Sequence, residues 1–107
     1  SKEFAIVHAL HAAGEGVARG IRVNALLPGA VETALTPSFR TSMGAAMYDW
    51  AVEQTGRSAD PEDIADAVMM LASPLARWVN GAAIPVDGGL TAAILTGRAG
   101  PVPAAAA

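Results

Sequence analysis

Lys2, Pro28, Gly29, Val31 and Thr33 are the positions whose residue types and spacing could do chemistry. Lys2 opens an apolar-periodic run and brings a compact cation with three hydrogen-bond donors. Such a cation makes a nearby phenol, with an ordinary pKa of about 10, a better acid and base near neutrality, and its donors can hold hydroxyl groups. The alternative is a solvated lysine in a first helical turn, where the helix dipole mildly disfavours it. Pro28-Gly29-x-Val31-x-Thr33 follows an apolar stretch, and it offers backbone donors and acceptors at close approach with the Thr33 hydroxyl beside them. A Pro-Gly turn running into a helix cap at Thr33 accounts for the same residues.

Other polar positions have plainer readings. His8 and His11 are three residues apart on a helical run, within reach of a metal, but no carboxylate or cysteine completes a set, so they are read as surface or interface histidines. Asn24, inside an apolar strand, must be hydrogen-bonded if buried and is read as structural. Asp87 is read as the cap of the Gly88-Gly89 turn. Met43, Met47, Tyr48 and Trp50 can line a substrate mouth or simply pack.

Several elements must position these groups. From Lys2 to about Ala18, Phe4, Val7, Leu10 and Ala13, with Ile6 and Ala9 beside them, make one helical face that has to pack, and Gly20 stands where a C-terminal cap belongs. Ile21 to Leu27 is apolar on both faces, as in a buried parallel strand that Pro28-Gly29 ends. A short helix from about Met43 to Gln54 is expected within a loop. The next helix is announced by Asp60 as N-cap, Pro61 at the first position and Asp63 completing a capping box, carries Ile64, Val68, Leu71 and Ala72 on its apolar face, and stops at Ser73-Pro74. After an Asn80-Gly81 turn, Ala82 to Val86 forms a second strand, with Pro85 placing it at a sheet edge. Helix, strand, helix, strand in that order makes a right-handed parallel βαβ unit, which is stable inside a larger layered sheet.

Composition narrows the function classes. A chain of 107 residues fits one domain at most, and at 52% hydrophobic with a net charge of −3 it is not expected to be disordered throughout. Seven Lys and Arg scattered among ten acids make no basic patch, so nucleic acid is not expected as a partner. Cysteine is absent, which excludes disulfides and thiolate metal sites. The apolar stretches fall short of the roughly 18 residues that would span a bilayer, and no membrane partner is expected.

Taken in series, Ser1-Lys2, Ile21-Arg22-Val23-Asn24, Pro28-Gly29-x-Val31-x-Thr33, Gly56-Arg57, Asp60-Pro61-Glu62-Asp63-Ile64-Ala65, Asn80-Gly81 and Val86-Asp87-Gly88-Gly89 resemble the C-terminal part of a short-chain dehydrogenase/reductase. The resemblance covers about nine tenths of the chain. It implies an α/β fold, the C-terminal part of a Rossmann-type doubly wound parallel sheet with these two strands as sixth and seventh, and nicotinamide at the C-terminal ends of the strands. It also implies that Lys2 is the lysine of a Tyr-x-x-x-Lys pair whose tyrosine lies four residues earlier, upstream of this sequence. The Val31 backbone would hold the nicotinamide carboxamide and the Thr33 hydroxyl would add a hydrogen bond, with Pro28 and Gly29 shaping the approach.

The function so implied is that of an NAD(P)-dependent alcohol dehydrogenase or carbonyl reductase, cytoplasmic, acting on a small-molecule alcohol or carbonyl substrate as a homodimer or homotetramer. The phosphate-binding glycine loop and the residue that selects NAD or NADP do not occur in this sequence, so both cofactors stay open. Residues 1–96 are expected to be the C-terminal portion of the Rossmann-type domain and 97–107 a flexible tail, and the chain alone is expected to be inactive. Glu3 and Phe4 are bulkier than the small residues common after the family's lysine. The alternatives are a non-catalytic oligomerisation or interaction fragment, or an epimerase or dehydratase on the same fold.

Overall fold

Small residues decide how the first helix meets the sheet. In the computed structural model, which describes residues 2–103 apart from the side chains of Lys2, Phe39, Arg40, Ser42 and Met43, helix α1 runs Lys2–Gly16. A 3-10 turn, Val17–Arg19, follows, and Gly20 closes it at φ 68° with its N–H on the Val17 carbonyl at 3.2 Å. This is the left-handed cap expected at that glycine. The buried line of α1 is Ala9, Ala13 and Gly16, whereas Phe4, Val7 and Leu10 stay exposed. Of the four main residues of the expected packing face, only Ala13 is buried within this chain. The reason is proximity: a Cβ on Gly16 would sit 2.6 Å from the Ile21 carbonyl oxygen, and one on Gly81 would sit 3.5 Å from the Ala13 Cβ. Large side chains cannot occupy a seam that close.

The sheet among the described residues consists of β1 (Ala25–Pro28) and β2 (Ala83–Val86), parallel and in register from Ala25↔Ala83 to Pro28↔Val86. The strand expected from Ile21 begins only at Ala25, because Asn24 substitutes its side chain for ladder bonds. Its Nδ2 donates to the Val79 carbonyl at 3.1 Å and its Oδ1 accepts the Ala82 N–H at 3.0 Å. Asn80 Oδ1 accepts the Val23 N–H at 2.9 Å, and Arg22 donates to the carbonyls of Val79 and Leu71 at 3.2 and 2.9 Å. Within the pair, Ala25 donates to Ala82 and Gly29 to Val86. Alternation then turns Pro28 and Pro85 outward, where a missing N–H removes no bond between the two strands.

The short helix expected from about Met43 to Gln54 is α3 (Ala45–Thr55), and a further helix that was not expected, α2 (Thr36–Met43), precedes it, separated from it by Gly44 at φ 90°. A residue with that backbone cannot continue a right-handed helix. Helix α4 (Pro61–Ala72) starts where expected: the Asp60 N–H donates to Asp63 Oδ2 at 2.8 Å in a capping box. A further helix, α5 (Leu90–Leu95), follows β2. Past it, the N–H groups of Arg98 and Ala99 donate to the Ala93 carbonyl, and that of Gly100 donates to Gln54 Oε1 on α3 at 2.8 Å. The first residues of the stretch expected to fray are thus hydrogen-bonded; Ala104–Ala107 lie outside the described residues. The architecture is α/β with a parallel sheet, and among the described residues no helix is long and apolar enough to cross a membrane.

Candidate functional site

The chain leaves β1 at its C-terminal end and turns directly under β2. A Cβ on Gly29 would lie 2.9 Å from the Asp87 Cβ and 3.0 Å from its Cα, so glycine is required there by the approach of the second strand. Asp87 is itself committed. Its Oδ1 accepts the Gly89 N–H at 3.0 Å, and its Oδ2 accepts the Thr91 N–H at 3.0 Å and the Thr91 hydroxyl at 2.6 Å. Partial burial opposes ionisation, but the bonds from Thr91 and Gly89 outweigh it and hold the carboxyl below the ordinary carboxylate range. This is the capping role expected of Asp87.

Beyond Gly29 the backbone forms one isolated parallel bridge, Val31 with Ala59. The Ala59 N–H donates to the Ala30 carbonyl at 2.8 Å and the Glu32 N–H to the Ala59 carbonyl at 2.9 Å. In a parallel bridge the central residue's own groups face the other way. The Val31 N–H accordingly has no hydrogen-bond partner among the described residues, and its carbonyl meets only the Thr36 hydroxyl, at 3.4 Å. Thr33 and Thr36 then fold the loop onto α2: the Thr33 N–H donates to Thr36 Oγ1 at 2.7 Å, and Thr33 Oγ1 accepts the Leu35 N–H at 3.1 Å. Accepting that bond leaves the exposed Thr33 hydroxyl its own proton to give. The same bonds cap the turn that leads into α2: the Thr33 carbonyl accepts the Thr36 N–H at 3.0 Å, and the Thr33 and Thr36 hydroxyl oxygens accept N–H groups reciprocally, as the helix-cap alternative at Thr33 expects.

Thr36 and Glu32 belong to this site and were not singled out from sequence, whereas Tyr48 was read as lining a substrate mouth or packing. Thr36 is buried, and the Tyr48 hydroxyl donates to Glu32 Oε2 at 3.0 Å. The Thr-x-x-Thr spacing could have exposed the first. Nothing local could have joined Glu32 to Tyr48.

Two hollows flank the loop. One of about 300 Å³ is lined by Gly29, Thr55, Arg57, Asp63, Asp87 and Gly88. Arg57 grips both oxygens of Asp63 there, at 2.8 and 3.3 Å, and its hydrogen bond is the main cause of the lowered pKa of Asp63. A second, of about 550 Å³, opens beside Glu32, Thr36, Pro37, Thr41 and Ala45. The structure thus brings Pro28, Gly29, Val31 and Thr33 into one continuous edge, of which only Gly29 lines the smaller hollow. The Lys2 side chain lies outside the described residues. His8 stacks on Phe4, ring centroids 6.0 Å apart, and among the described residues no three His, Cys, Asp or Glu are grouped to hold a metal.

Residues 2–91 match the family model described as enoyl-(acyl carrier protein) reductase. A solved short-chain type dehydrogenase/reductase from Mycobacterium ulcerans superposes with a TM-score of 0.71 at 31% identity, over 84% of this chain and 33% of that one. The chain belongs to the short-chain dehydrogenase/reductase family. Other members of the family resemble it more in sequence. Galactitol 2-dehydrogenase (L-tagatose-forming) of Cereibacter sphaeroides is 43% identical over 81 residues, 74% of this chain and 31% of the relative. The 3-oxoacyl-[acyl-carrier-protein] reductase of Vibrio harveyi is 38% identical over 78 residues, 73% of this chain and 31% of the relative. An NADP-bound Agrobacterium tumefaciens protein assigned as a 2-deoxy-D-gluconate 3-dehydrogenase superposes with a TM-score of 0.70 at 36% identity, over 82% of this chain and 36% of that one. The chain therefore spans about a third of the length of the short-chain dehydrogenases and reductases it matches.

Proposed function

We propose that this chain supplies the nicotinamide-facing edge and the catalytic lysine of an NAD(P)-dependent short-chain oxidoreductase that interconverts small-molecule alcohols and carbonyls. The observation that carries this reading is the Val31 N–H, which faces away from the Val31–Ala59 bridge without a partner among the described residues, two positions before a Thr33 hydroxyl with a proton to give. A carboxamide needs a donor for its oxygen and an acceptor for its NH2, and a Val31 N–H, Val31 carbonyl and Thr33 hydroxyl in one edge fit that group. Relatives solved with NADP or with NADH support the cofactor class without choosing between the two.

When bound, nicotinamide supplies or takes the hydride. The chain's own part is to orient the ring by its carboxamide, to keep the strand ends close through Gly29 against Asp87, and to place the Lys2 cation where it favours an ionisable phenol and holds ribose hydroxyls. Residues 1–96 act in this reading as the C-terminal portion of the dinucleotide-binding domain, with 97–107 as a tail. The phosphate-binding turn and the phenol come from polypeptide outside these 107 residues, so the chain alone is inactive. The working enzyme is a cytoplasmic homodimer or homotetramer. Exposure of Leu75 at 88% and Trp78 at 96% favours an assembly role alongside the catalytic one.

The test is a chimera in which this chain replaces the matching segment of the galactitol 2-dehydrogenase relative. Thr33→Val should raise KM for the dinucleotide about tenfold, one hydrogen bond's worth, with kcat little changed. An unchanged KM would remove the Thr33 edge from the cofactor site.

A further inference from the structure

The Val31 edge is useful only if the loop carrying it is held still, and a buried phenol on α3 is bonded to that loop. Tyr48, on α3, is 7% exposed, and its hydroxyl donates to Glu32 Oε2 at 3.0 Å, between Val31 and Thr33 in sequence. Ser58 precedes Ala59, the bridge partner of Val31, while Thr36 is 4% exposed and binds the Thr33 N–H and the Val31 carbonyl. The loop is thus held on three sides, by Tyr48 from α3, by Thr36 at the start of α2 and by the strand-like segment at Ala59.

We infer that Tyr48 is a positioning residue: it latches the Glu32 side of the loop to α3 and so fixes the outward-facing Val31 N–H for a nicotinamide carboxamide. This rests on the cofactor reading proposed above. The phenol is pushed above its ordinary value by burial first and then by Glu32, so it remains a donor across neutral and mildly alkaline pH. A donor to a carboxylate is the stronger kind of hydrogen bond, and a buried anchor loses little entropy in keeping it. Because α3 follows directly on α2, beside the 550 Å³ hollow lined by Glu32, Thr36 and Thr41, the same bond ties that hollow's wall to the cofactor edge.

The test uses the full 107-residue chain and two readouts. In Tyr48→Phe, which keeps the ring, amide exchange at Glu32 and Ala59, the two bridge donors, should accelerate about tenfold while the amides of α4 keep wild-type rates. Glu32→Gln retains an acceptor and should restore most of the protection that Glu32→Ala loses. The second readout is the response of the Val31 amide resonance to reduced nicotinamide mononucleotide, expected in wild type and weakened at least severalfold in Tyr48→Phe. Unchanged exchange at the bridge overturns the latch, as does acceleration spread equally over α4. A Val31 response equal in wild type and Tyr48→Phe overturns the positioning role alone. A wild-type Val31 that ignores the nucleotide, with bridge exchange still dependent on Tyr48, overturns the cofactor reading and leaves Tyr48 a purely structural anchor.

Discussion

At the scale of the residue, most polar side chains near the site hold backbone in place of a ladder or a helix turn, and Asp87 shows how. It accepts two N–H groups and a hydroxyl, which keeps it ionised against the cost of its partial burial. Its folded pKa lies below the unfolded value near 3.9, so its contribution is fully present above about pH 4 and is lost as pH falls through the folded value. Urea unfolding followed from pH 7 downward should show stability declining below about pH 4 in the wild type, and Asp87→Asn should start lower and decline less steeply. Asn24 was legible as a structural amide, but not as the residue that shortens β1, since its partners stand 55 and 58 positions away. Gly29 was legible as a turn residue, whereas its contact with Asp87 is a matter of strand approach that no local pattern carries.

Among the elements, those whose ends are set by neighbouring residues were the readable ones. Asp60, Pro61 and Asp63 start α4, and Gly20 ends the first helical segment in the left-handed state, because caps are local chemistry. Asp60→Ala should cost about 1 kcal/mol, seen as faster amide exchange in the first turns of α4 and a lower urea midpoint. The Glu62 and Asp63 charges there also suit the positive end of the helix. What was not readable depended on partners. The residues of α1 buried within this chain were not legible, because Phe4, Val7 and Leu10 outweigh alanine in any hydrophobic pattern, yet the close seam is made by Ala9, Ala13 and Gly16. The helix expected from about Met43 is α3, whereas α2 before Gly44 was not expected.

For the whole molecule, the buried apolar residues among those described are Ala9, Ala13, Tyr48, Trp50 and Ala76, while Phe4, Trp78 and Leu95 are among the large apolar side chains left exposed. Small alanines contribute little burial, so the two aromatics of α3 carry much of the interior. One of them, Tyr48, is also the anchor of the candidate cofactor edge, which couples the integrity of the fold to the geometry of the site. The family was legible because a motif series preserves order and spacing, and the same series singles out the run of Pro28, Gly29, Val31 and Thr33 as the candidate edge. The support beneath that run was not legible, because Glu32 and Tyr48 are sixteen residues apart and meet only through the fold.

The most direct measurement is turnover by the chimera in which this chain replaces the matching segment of the galactitol 2-dehydrogenase relative, followed by NADH or NADPH absorbance with the host's own substrate. The account predicts that the folded chimera transfers hydride and that Lys2→Ala lowers kcat by roughly 10²–10⁴-fold. A folded, nucleotide-binding chimera without turnover, or one indifferent to Lys2→Ala, would contradict it.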